Sequence, residues 1–263
     1  MLNLSLRTSA WPGNVETLPS APGTPSLRSG FDVALLQKHL QVVKRRVHAT
    51  ELLFRAGEPF GGLYLVHAGC FKSVLTAADG RERVTAFRLR GELLGSEAFG
   101  TDCYQCDAVA LDDGEVWQLP RQAFSTALAR VPALAEALTA ALAAELRQDR
   151  ACLLSLGTHN AEQRVATLLL DLGQRFAALG FSGTHYLLRM TRAEIGSFLG
   201  LQLETVTRAM SNLAGLGLIA VQRKDIHILQ HAALLRMTGA PAMNTPCKAS
   251  SLAMPALELP AAA

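Results

Sequence analysis

Four polar residues recur on one side of a short segment, and their types are suited to recognising nucleic-acid bases. Glu204, Thr207, Arg208 and Ser211 follow one another at intervals of three, one and three residues, which places them together on one face of an α-helix. An arginine can donate two hydrogen bonds to guanine, a glutamate can accept one from the amine of cytosine, and a threonine methyl can contact that of thymine. A surface ion pair between Glu204 and Arg208 is the simpler alternative, because these residues lie four positions apart.

Two helices joined by a tight turn would position these side chains. Thr191 followed by Glu194 forms the pattern of a capping box and predicts that a helix begins there. It should end near Leu199, because Gly200 can adopt the left-handed conformation that a tight turn needs. A second helix is predicted from about residue 202 to 214. Its expected buried face consists of Leu203, Val206, Met210 and Leu213. Helix, short turn and helix is the pattern of proteins that insert the second helix into the DNA major groove.

A β-hairpin is predicted after the second helix. Two short apolar runs lie between Leu218 and Leu229 and flank the polar residues 222–225. The hairpin would carry Arg223 and Lys224 at its tip, where two cations can meet DNA phosphates. The net charge of +3 is a weak indication by itself. The segment 189–231 carries five cations against three anions, and this excess is informative because of its position on the turn, helix and hairpin.

These motifs resemble those of the CRP/FNR family of bacterial transcription regulators. The resemblance rests on residues 204–208 (Glu-Thr-Val-Thr-Arg), 190–192 (Met-Thr-Arg) and 215–219 (Gly-Leu-Gly-Leu-Ile), and it covers roughly residues 31–230. The Glu-x-x-[Ser/Thr]-Arg pattern and the run 160–166 are most similar to the FNR-like branch. The resemblance implies a homodimeric activator that binds double-stranded DNA at a palindrome resembling TTGAT-N4-ATCAA and contacts RNA polymerase.

The resemblance also implies roles for individual residues. Arg208 would bind the guanine, Glu204 the paired cytosine, and Thr207 would lie near a thymine. The residues expected on the DNA backbone are Thr191, Arg192, Gln202, Thr205, Ser211, Arg223 and Lys224.

Short apolar runs punctuated by glycine fill the first half of the chain. A short helix is expected from Phe31 to Lys44. The expected strands cover residues 51–54, 63–67, 71–75, 84–89, 107–111 and 115–119. Many short strands at regular spacing predict a small barrel or jelly roll. Residues 63–69 and 91–95 are similar to the β-roll of the family's cyclic-nucleotide-binding domain.

The β-roll lacks the residues that hold a cyclic phosphate in relatives that bind cyclic AMP. Those relatives carry Arg-[Ser/Thr]-Ala where this chain has Gln105-Cys106-Asp107-Ala108. The thiol of Cys106 replaces the cation, and the carboxylate of Asp107 would repel a phosphate. We therefore expect no cyclic-AMP binding.

The five cysteines do not suggest an iron–sulfur cluster or a disulfide framework. Oxygen-sensing members of the family hold a cluster through cysteines in the leader, but the first cysteine of this chain is Cys70. Cys103 and Cys106 form one Cys-x-x-Cys pair, which is half of a metal site or a redox couple, and free thiols are the favoured interpretation. Haem binding through a histidine such as His67 and thiol-based redox sensing stay open.

A long helix is expected to begin at Pro132 and to end at about Leu156. Its coiled-coil seam would consist of Leu142, Leu146, Asp149, Leu153 and Leu156, which recur at intervals of four and three. A helix packed on its own domain would give the same spacing, but the resemblance favours dimerisation. In FNR-like relatives an acidic residue at the place of Asp149 keeps the monomer–dimer equilibrium near balance.

The expected fold class is therefore α+β, with an N-terminal β-roll, a long dimerisation helix and a C-terminal winged helix-turn-helix. The predicted divisions are a disordered leader (1–30), the β-roll (31–131), the dimerisation helix (132–157), the DNA-binding domain (158–231) and a mostly disordered tail (232–263). No apolar run approaches the roughly 18 residues of a membrane span, and the N-terminus lacks the pattern of a signal peptide. We expect a cytoplasmic protein without a membrane partner.

Three other functional classes are the alternatives to this interpretation. A regulator that senses a cyclic nucleotide or haem through the same DNA-binding domain is the alternative within the family. A cyclic-nucleotide-binding module that controls a partner protein would need the phosphate-binding arginine and no helix-turn-helix. An enzyme has no support, because no Ser/His/Asp order, paired-carboxylate cleft or phosphate loop stands out.

Overall fold

The computed structural model describes residues 33–239 of the 263-residue chain. The expected leader, 1–30, lies outside the described residues. The α-helices of the described part are α1 Val33–His39, α2 Arg121–Arg130, α3 Pro132–Thr158, α4 Ala161–Ala178, α5 Arg192–Leu199, α6 Leu203–Gly215 and α7 His231–Met237. The strands are β1 Val43–Val47, β2 Leu52–Phe54, β3 Gly62–Ala68, β4 Phe71–Thr76, β5 Glu82–Arg88, β6 Leu93–Leu94, β7 Asp107–Ala110, β8 Gly114–Pro120, β9 His185–Leu187, β10 Ile219–Gln222 and β11 Asp225–Ile228.

The first eight strands form the expected β-roll from two antiparallel four-stranded sheets. Their strand orders are β1-β8-β3-β6 and β2-β7-β4-β5. The apolar faces enclose a core that includes Phe54, Phe71 and Trp117, each at most 2% exposed. The expected helix up to Lys44 is too long, because α1 ends at His39 and Val43 already pairs with Gln118 of β8.

Two consecutive helices follow the β-roll. Helix α2 was not expected; it packs on the strands through Phe124, which is 2% exposed. Helix α3 begins at Pro132, as predicted, since proline suits the first turn of a helix. Its first turns bury Leu134 and Leu138 in the β-roll core.

The C-terminal part combines α4, α5 and α6 with a three-stranded sheet ordered β10-β11-β9. Strand β9 was not expected, and it anchors α4 because the Tyr186 hydroxyl donates a hydrogen bond of 2.5 Å to the Leu169 carbonyl. The core residues of this part are Val165, Leu169, Leu172, Ile195, Val206, Met210, Leu213 and Ile226.

Helix α7 corrects the prediction that the chain is mostly disordered from residue 232. Its Leu234 is fully buried, and the Gln163 side chain donates a hydrogen bond of 2.9 Å to the Met237 carbonyl. The expectation is therefore wrong for residues 232–237, where packing on α4 stabilises a helix. Residues 240–263 lie outside the described residues.

Between residues 33 and 239, no single helix is long and apolar enough to cross a bilayer. The pair α2 and α3, bent by 114°, meets that test of length and composition only when taken together.

Candidate nucleic-acid interface

The predicted helix-turn-helix is present as α5 and α6. The Thr191 hydroxyl accepts a hydrogen bond of 3.2 Å from the Glu194 amide, and the Glu194 carboxylate accepts one of 2.7 Å from the Thr191 amide. Gly200 ends α5 with φ 63°, as the turn requires. A Cβ at Gly196 would lie 2.6 Å from the Leu201 carbonyl oxygen, so only glycine allows the turn to approach α5 this closely.

Helix α6 buries one face and exposes the other. Val206, Ala209, Met210 and Leu213 are each at most 2% exposed. The prediction that Leu203 joins this buried face is wrong, because Leu203 lies in the first turn of the helix and is 46% exposed.

The structure brings the predicted base-reading residues together on the exposed face of α6. Glu204, Thr207 and Arg208 are all exposed, as is Ser211 one turn further on. The Thr207 hydroxyl donates a hydrogen bond of 2.9 Å to the Leu203 carbonyl, and the Ser211 hydroxyl donates one of 3.0 Å to the Thr207 carbonyl. Because the hydroxyl of Thr207 is already satisfied, its methyl group is the part best suited to contact a base.

A recess of about 310 Å³ borders this face, between α6 and the N-terminus of α4. Arg208 and Thr205 line it, together with Asn160. The Asn212 amide donates a hydrogen bond of 2.6 Å to the Glu162 carboxylate and thereby joins the two helices. Sequence reasoning did not identify this recess, because its walls come from separate helices.

Arg192 has an unsatisfied donor beside the expected path of the DNA backbone. One terminal nitrogen of its guanidinium donates to the Arg223 carbonyl at 3.4 Å. The other is buried and has no hydrogen-bond partner among the described residues. Burial lowers the pKa of Arg192. An unpaired buried donor is costly, and the Arg192 side chain has to turn outwards before this nitrogen can reach a phosphate oxygen.

The remaining predicted backbone contacts surround the same surface. Thr191 and Gln202, the first residues before α5 and α6, are exposed, and the Gln202 side chain makes no capping hydrogen bond. Arg223 and Lys224 form the two-residue turn between β10 and β11 and are also exposed. The Lys224 ammonium donates a hydrogen bond of 3.3 Å to the Arg189 carbonyl.

The residues at the place of a cyclic phosphate do not fit one. The Cys106 thiol is buried and lies 3.2 Å from the Glu97 carboxylate, and burial raises its pKa. The Asp107 carboxylate accepts a hydrogen bond of 2.8 Å from the Ala56 amide. Sequence reasoning missed Arg88, a buried cation close to this place, but Arg88 is already paired with Glu145. A phosphate would need free hydrogen-bond donors at this place, but carboxylates lie there instead.

The two thiols of the Cys-x-x-Cys pair have different neighbours. The Cys103 sulfur lies 3.4 Å from the Gln105 amide, whereas Cys106 contacts Glu97, and both thiols are free. Within residues 33–239, no group of three or more His, Cys, Asp or Glu side chains could hold a metal ion. The His67 ring stacks on Trp117 at a centroid distance of 4.4 Å, and burial lowers the pKa of His67.

The predicted coiled-coil seam has two environments along α3. Leu142 packs against the β-roll core, and Leu156 lies half-buried. Leu146 and Leu153 are 50% and 67% exposed, with the exposed Asp149 between them. The middle of α3 therefore presents an apolar strip that contains one carboxylate.

Two family models match the chain. The cyclic nucleotide-binding domain model matches residues 44–131, and the Crp-like helix-turn-helix domain model matches residues 163–237. The chain is 35% identical over 201 residues to the transcriptional activator protein Anr of Pseudomonas aeruginosa, covering 76% of this chain and 82% of that protein. It is 33% identical over 196 residues to the fumarate and nitrate reduction regulatory protein of Escherichia coli, covering 74% and 78%. The structure of FixK2 from Bradyrhizobium japonicum is similar, with a TM-score of 0.70, 31% identity and coverage of 77% of this chain and 100% of that chain.

Proposed function

This chain belongs to the CRP/FNR family of transcription regulators, and from that premise we propose that it binds a palindrome resembling TTGAT-N4-ATCAA as a homodimer. The exposed array of Glu204, Thr207 and Arg208 on α6 is the observation that carries this proposal. These three side chains have the chemistry to recognise cytosine, thymine and guanine edges in the major groove. We also propose the boundaries 31–131 for the β-roll and 132–157 for the dimerisation helix, with the DNA-binding domain running from residue 158 to the end of α7.

In the proposed complex, Arg208 donates two hydrogen bonds to the guanine of each half-site, and Glu204 accepts one from the amine of the paired cytosine. The methyl group of Thr207 contacts a thymine. The intervals between these residues support this assignment, because side chains three and four positions apart on a helix can reach neighbouring base pairs.

The backbone contacts would hold α6 at the correct depth and angle. Arg192 is the strongest candidate, since one terminal nitrogen of its guanidinium has no partner within the fold and would donate to a phosphate oxygen once the side chain turns outwards. Arg223 and Lys224 at the hairpin tip would contact a second phosphate group. The remaining contacts would come from uncharged polar residues, namely Thr191, Gln202, Thr205 and Ser211. The hydroxyls of Thr191 and Ser211 would then donate to a phosphate in place of their present acceptors, Glu194 and Thr207.

Dimerisation through α3 would present two copies of α6 to the two half-sites. The exposed Leu146 and Leu153 support this interface, because an apolar strip on one helix is stabilised when a second copy covers it. RNA polymerase is the proposed protein partner, and the cytoplasm is the proposed location. For the input, we propose a signal other than cyclic AMP or an iron–sulfur cluster, with haem and thiol chemistry as alternatives.

The proposal is tested by comparing two DNA duplexes. Fluorescence anisotropy should measure binding to the palindrome and to a duplex in which the G·C pair of both half-sites is inverted to C·G. We expect the inverted duplex to bind at least about tenfold more weakly, because each mismatched pair costs about 1–3 kcal/mol. Equal affinity for the two duplexes would contradict sequence-specific binding of this kind.

A further inference from the structure

The β-roll holds α5 and the segment that leads into it at several points, which together we call the α5 clamp. The Lys72 ammonium of β4 lies 2.7 Å from the Glu194 carboxylate, and the Arg189 guanidinium lies 3.2 Å from Asp112 in the turn before β8. The Val84 amide of β5 donates a hydrogen bond of 2.9 Å to the Ser197 hydroxyl. The clamp therefore connects the sheet of one half of the chain to the first helix of the DNA-binding half.

An apolar contact lies beside these polar links. Phe87 of β5 packs against Phe198 at a ring-centroid distance of 5.2 Å. Phe87 belongs to a core cluster that also contains Ile195 and Leu199 of α5. Hydrogen bonds and ion pairs are directional, whereas apolar contacts are not. Together the two kinds of contact hold α5 at one position on the β-roll.

The pair of Lys72 and Glu194 is shielded from water. Their side chains are 21% and 18% exposed, so solvent screens the attraction less than it would at an open surface. Burial raises the pKa of Glu194, but the hydrogen bond from Lys72 and those from Thr191 outweigh this effect and leave the pKa below its usual value. The ionised form of Glu194 is thus stabilised by a cation from the other half of the chain.

Glu194 also lies at the end of α5 that faces the expected DNA backbone. Its carboxylate accepts hydrogen bonds from the amide and the hydroxyl of Thr191, at 2.7 and 2.9 Å. Thr191 and its neighbour Arg192 are two of the proposed phosphate contacts. Without a compensating cation, a carboxylate at this place would repel the phosphates that these two residues bind.

We propose that Lys72 is a positioning residue for DNA binding, which docks α5 on the β-roll and neutralises Glu194 beside the phosphate-binding end of α5. This inference rests on the proposed function. Lys72, from the β-roll, supplies the positive charge that balances Glu194 in the capping box at the start of α5. Any displacement of β4 therefore changes both the position of α5 and the charge that the DNA backbone meets.

The test compares the variants Lys72→Met, Lys72→Arg and Glu194→Gln with the wild-type chain on the palindromic duplex. Lys72→Met should weaken binding by about tenfold, which is within the usual range of coupling between two sites. Lys72→Arg keeps the charge and should keep most of the affinity. The matched control is Arg81→Met, which breaks an exposed ion pair with Asp79 on the same β-roll and should leave affinity unchanged.

The double variant separates this role from a direct contact between Lys72 and DNA. Glu194→Gln keeps an oxygen that can complete the capping box but removes the charge that Lys72 neutralises. In the Glu194→Gln background, Lys72→Met should weaken binding to the palindrome by less than about threefold, compared with about tenfold in the wild-type chain. An equal loss in both backgrounds would overturn the inference, because it would show that Lys72 acts independently of Glu194.

A measurement without DNA tests the docking itself. Amide hydrogen exchange within residues 192–199 should be faster in Lys72→Met than in the wild-type chain, and unchanged in Arg81→Met. Unchanged exchange in Lys72→Met would overturn the inference. If the wild-type chain does not prefer the palindrome, both the proposed function and this inference are refuted. If the wild-type chain prefers the palindrome and Lys72→Met binds it with the same affinity, this inference alone is refuted.

Discussion

Glu204 and Arg208 lie one helical turn apart on the exposed face of α6, yet within residues 33–239 no ion pair joins them or engages either one. Their spacing alone predicted a surface ion pair as the simpler interpretation. The arrangement instead leaves the donors of the guanidinium and the acceptors of the carboxylate available to a partner. DNA base edges offer the complementary groups, so the arrangement favours recognition over local pairing.

Lys224 should contribute to DNA affinity without contributing to sequence preference. Its position at the hairpin tip suits a phosphate contact, which every sequence offers equally. We expect Lys224→Ala to weaken binding to the palindrome and to the inverted duplex by the same factor. The slope of log affinity against log salt concentration should also fall in magnitude by about two, because the homodimer loses one phosphate contact in each subunit. A loss confined to the palindrome would show that Lys224 contacts bases.

Asp149 should weaken the dimer. In a parallel pair of α3 helices, the two Asp149 carboxylates would approach each other between Leu146 and Leu153, where they repel and lose hydration. We expect Asp149→Ala to tighten the dimer by on the order of tenfold. Sedimentation equilibrium measures this change directly, with Arg150→Ala on the same helix as the control. Equal or weaker dimerisation of Asp149→Ala would remove Asp149 from the interface.

Cyclic AMP should not change DNA binding. The place of its phosphate is bordered by the Glu97 and Asp107 carboxylates, and the nearby Arg88 is paired with Glu145. We expect isothermal titration calorimetry to detect no heat of binding when the nucleotide is added at millimolar concentration. A saturable heat, or a tighter complex with the palindrome in its presence, would contradict this account of the β-roll.

The clamp should make stability depend on pH in the acidic range. The pKa of Glu194 is lower in the folded chain than its ordinary value of 4.5, so its contribution to stability is present above that value and is lost as pH falls through the folded pKa. Urea denaturation should therefore show that wild type is more stable than Lys72→Met at neutral pH and that the difference shrinks as pH falls below 4.5. A difference that stays constant would show that Glu194 is not the titrating partner.

Local sequence patterns were sufficient for the helix-turn-helix but not for all of the strands. The capping box of Thr191 and Glu194 and the turn at Gly200 act over a few residues, so their effect can be predicted directly. Strand β1 was missed because Lys44, Arg45 and Arg46 interrupt its apolar alternation, and the strand is held by pairing with β8 instead. Strand β6 has only two residues, which is too short for any periodicity.

The contacts between the two halves of the chain could not be predicted from either half. Lys72 and Glu194 are 122 positions apart, and nothing in the sequence around either residue identifies the other. The unpaired nitrogen of Arg192 likewise depends on the Arg223 carbonyl and on burial by the surrounding chain. The sequence was sufficient to identify side chains of types that bind DNA. Only the fold shows which of these side chains are held in place by contacts from distant parts of the chain.

Selection of DNA sites from a random pool tests the central claim most directly. With the wild-type chain, we expect a two-fold symmetric consensus that contains one G·C pair in each half-site at the position assigned to Arg208. With Arg208→Ala, we expect the preference at that pair to disappear and the affinity to fall by about 1–3 kcal/mol for each half-site, while the preferences at the other positions are retained. A wild-type consensus without that pair, or an unchanged preference in the variant, would contradict the proposed reading of DNA by α6.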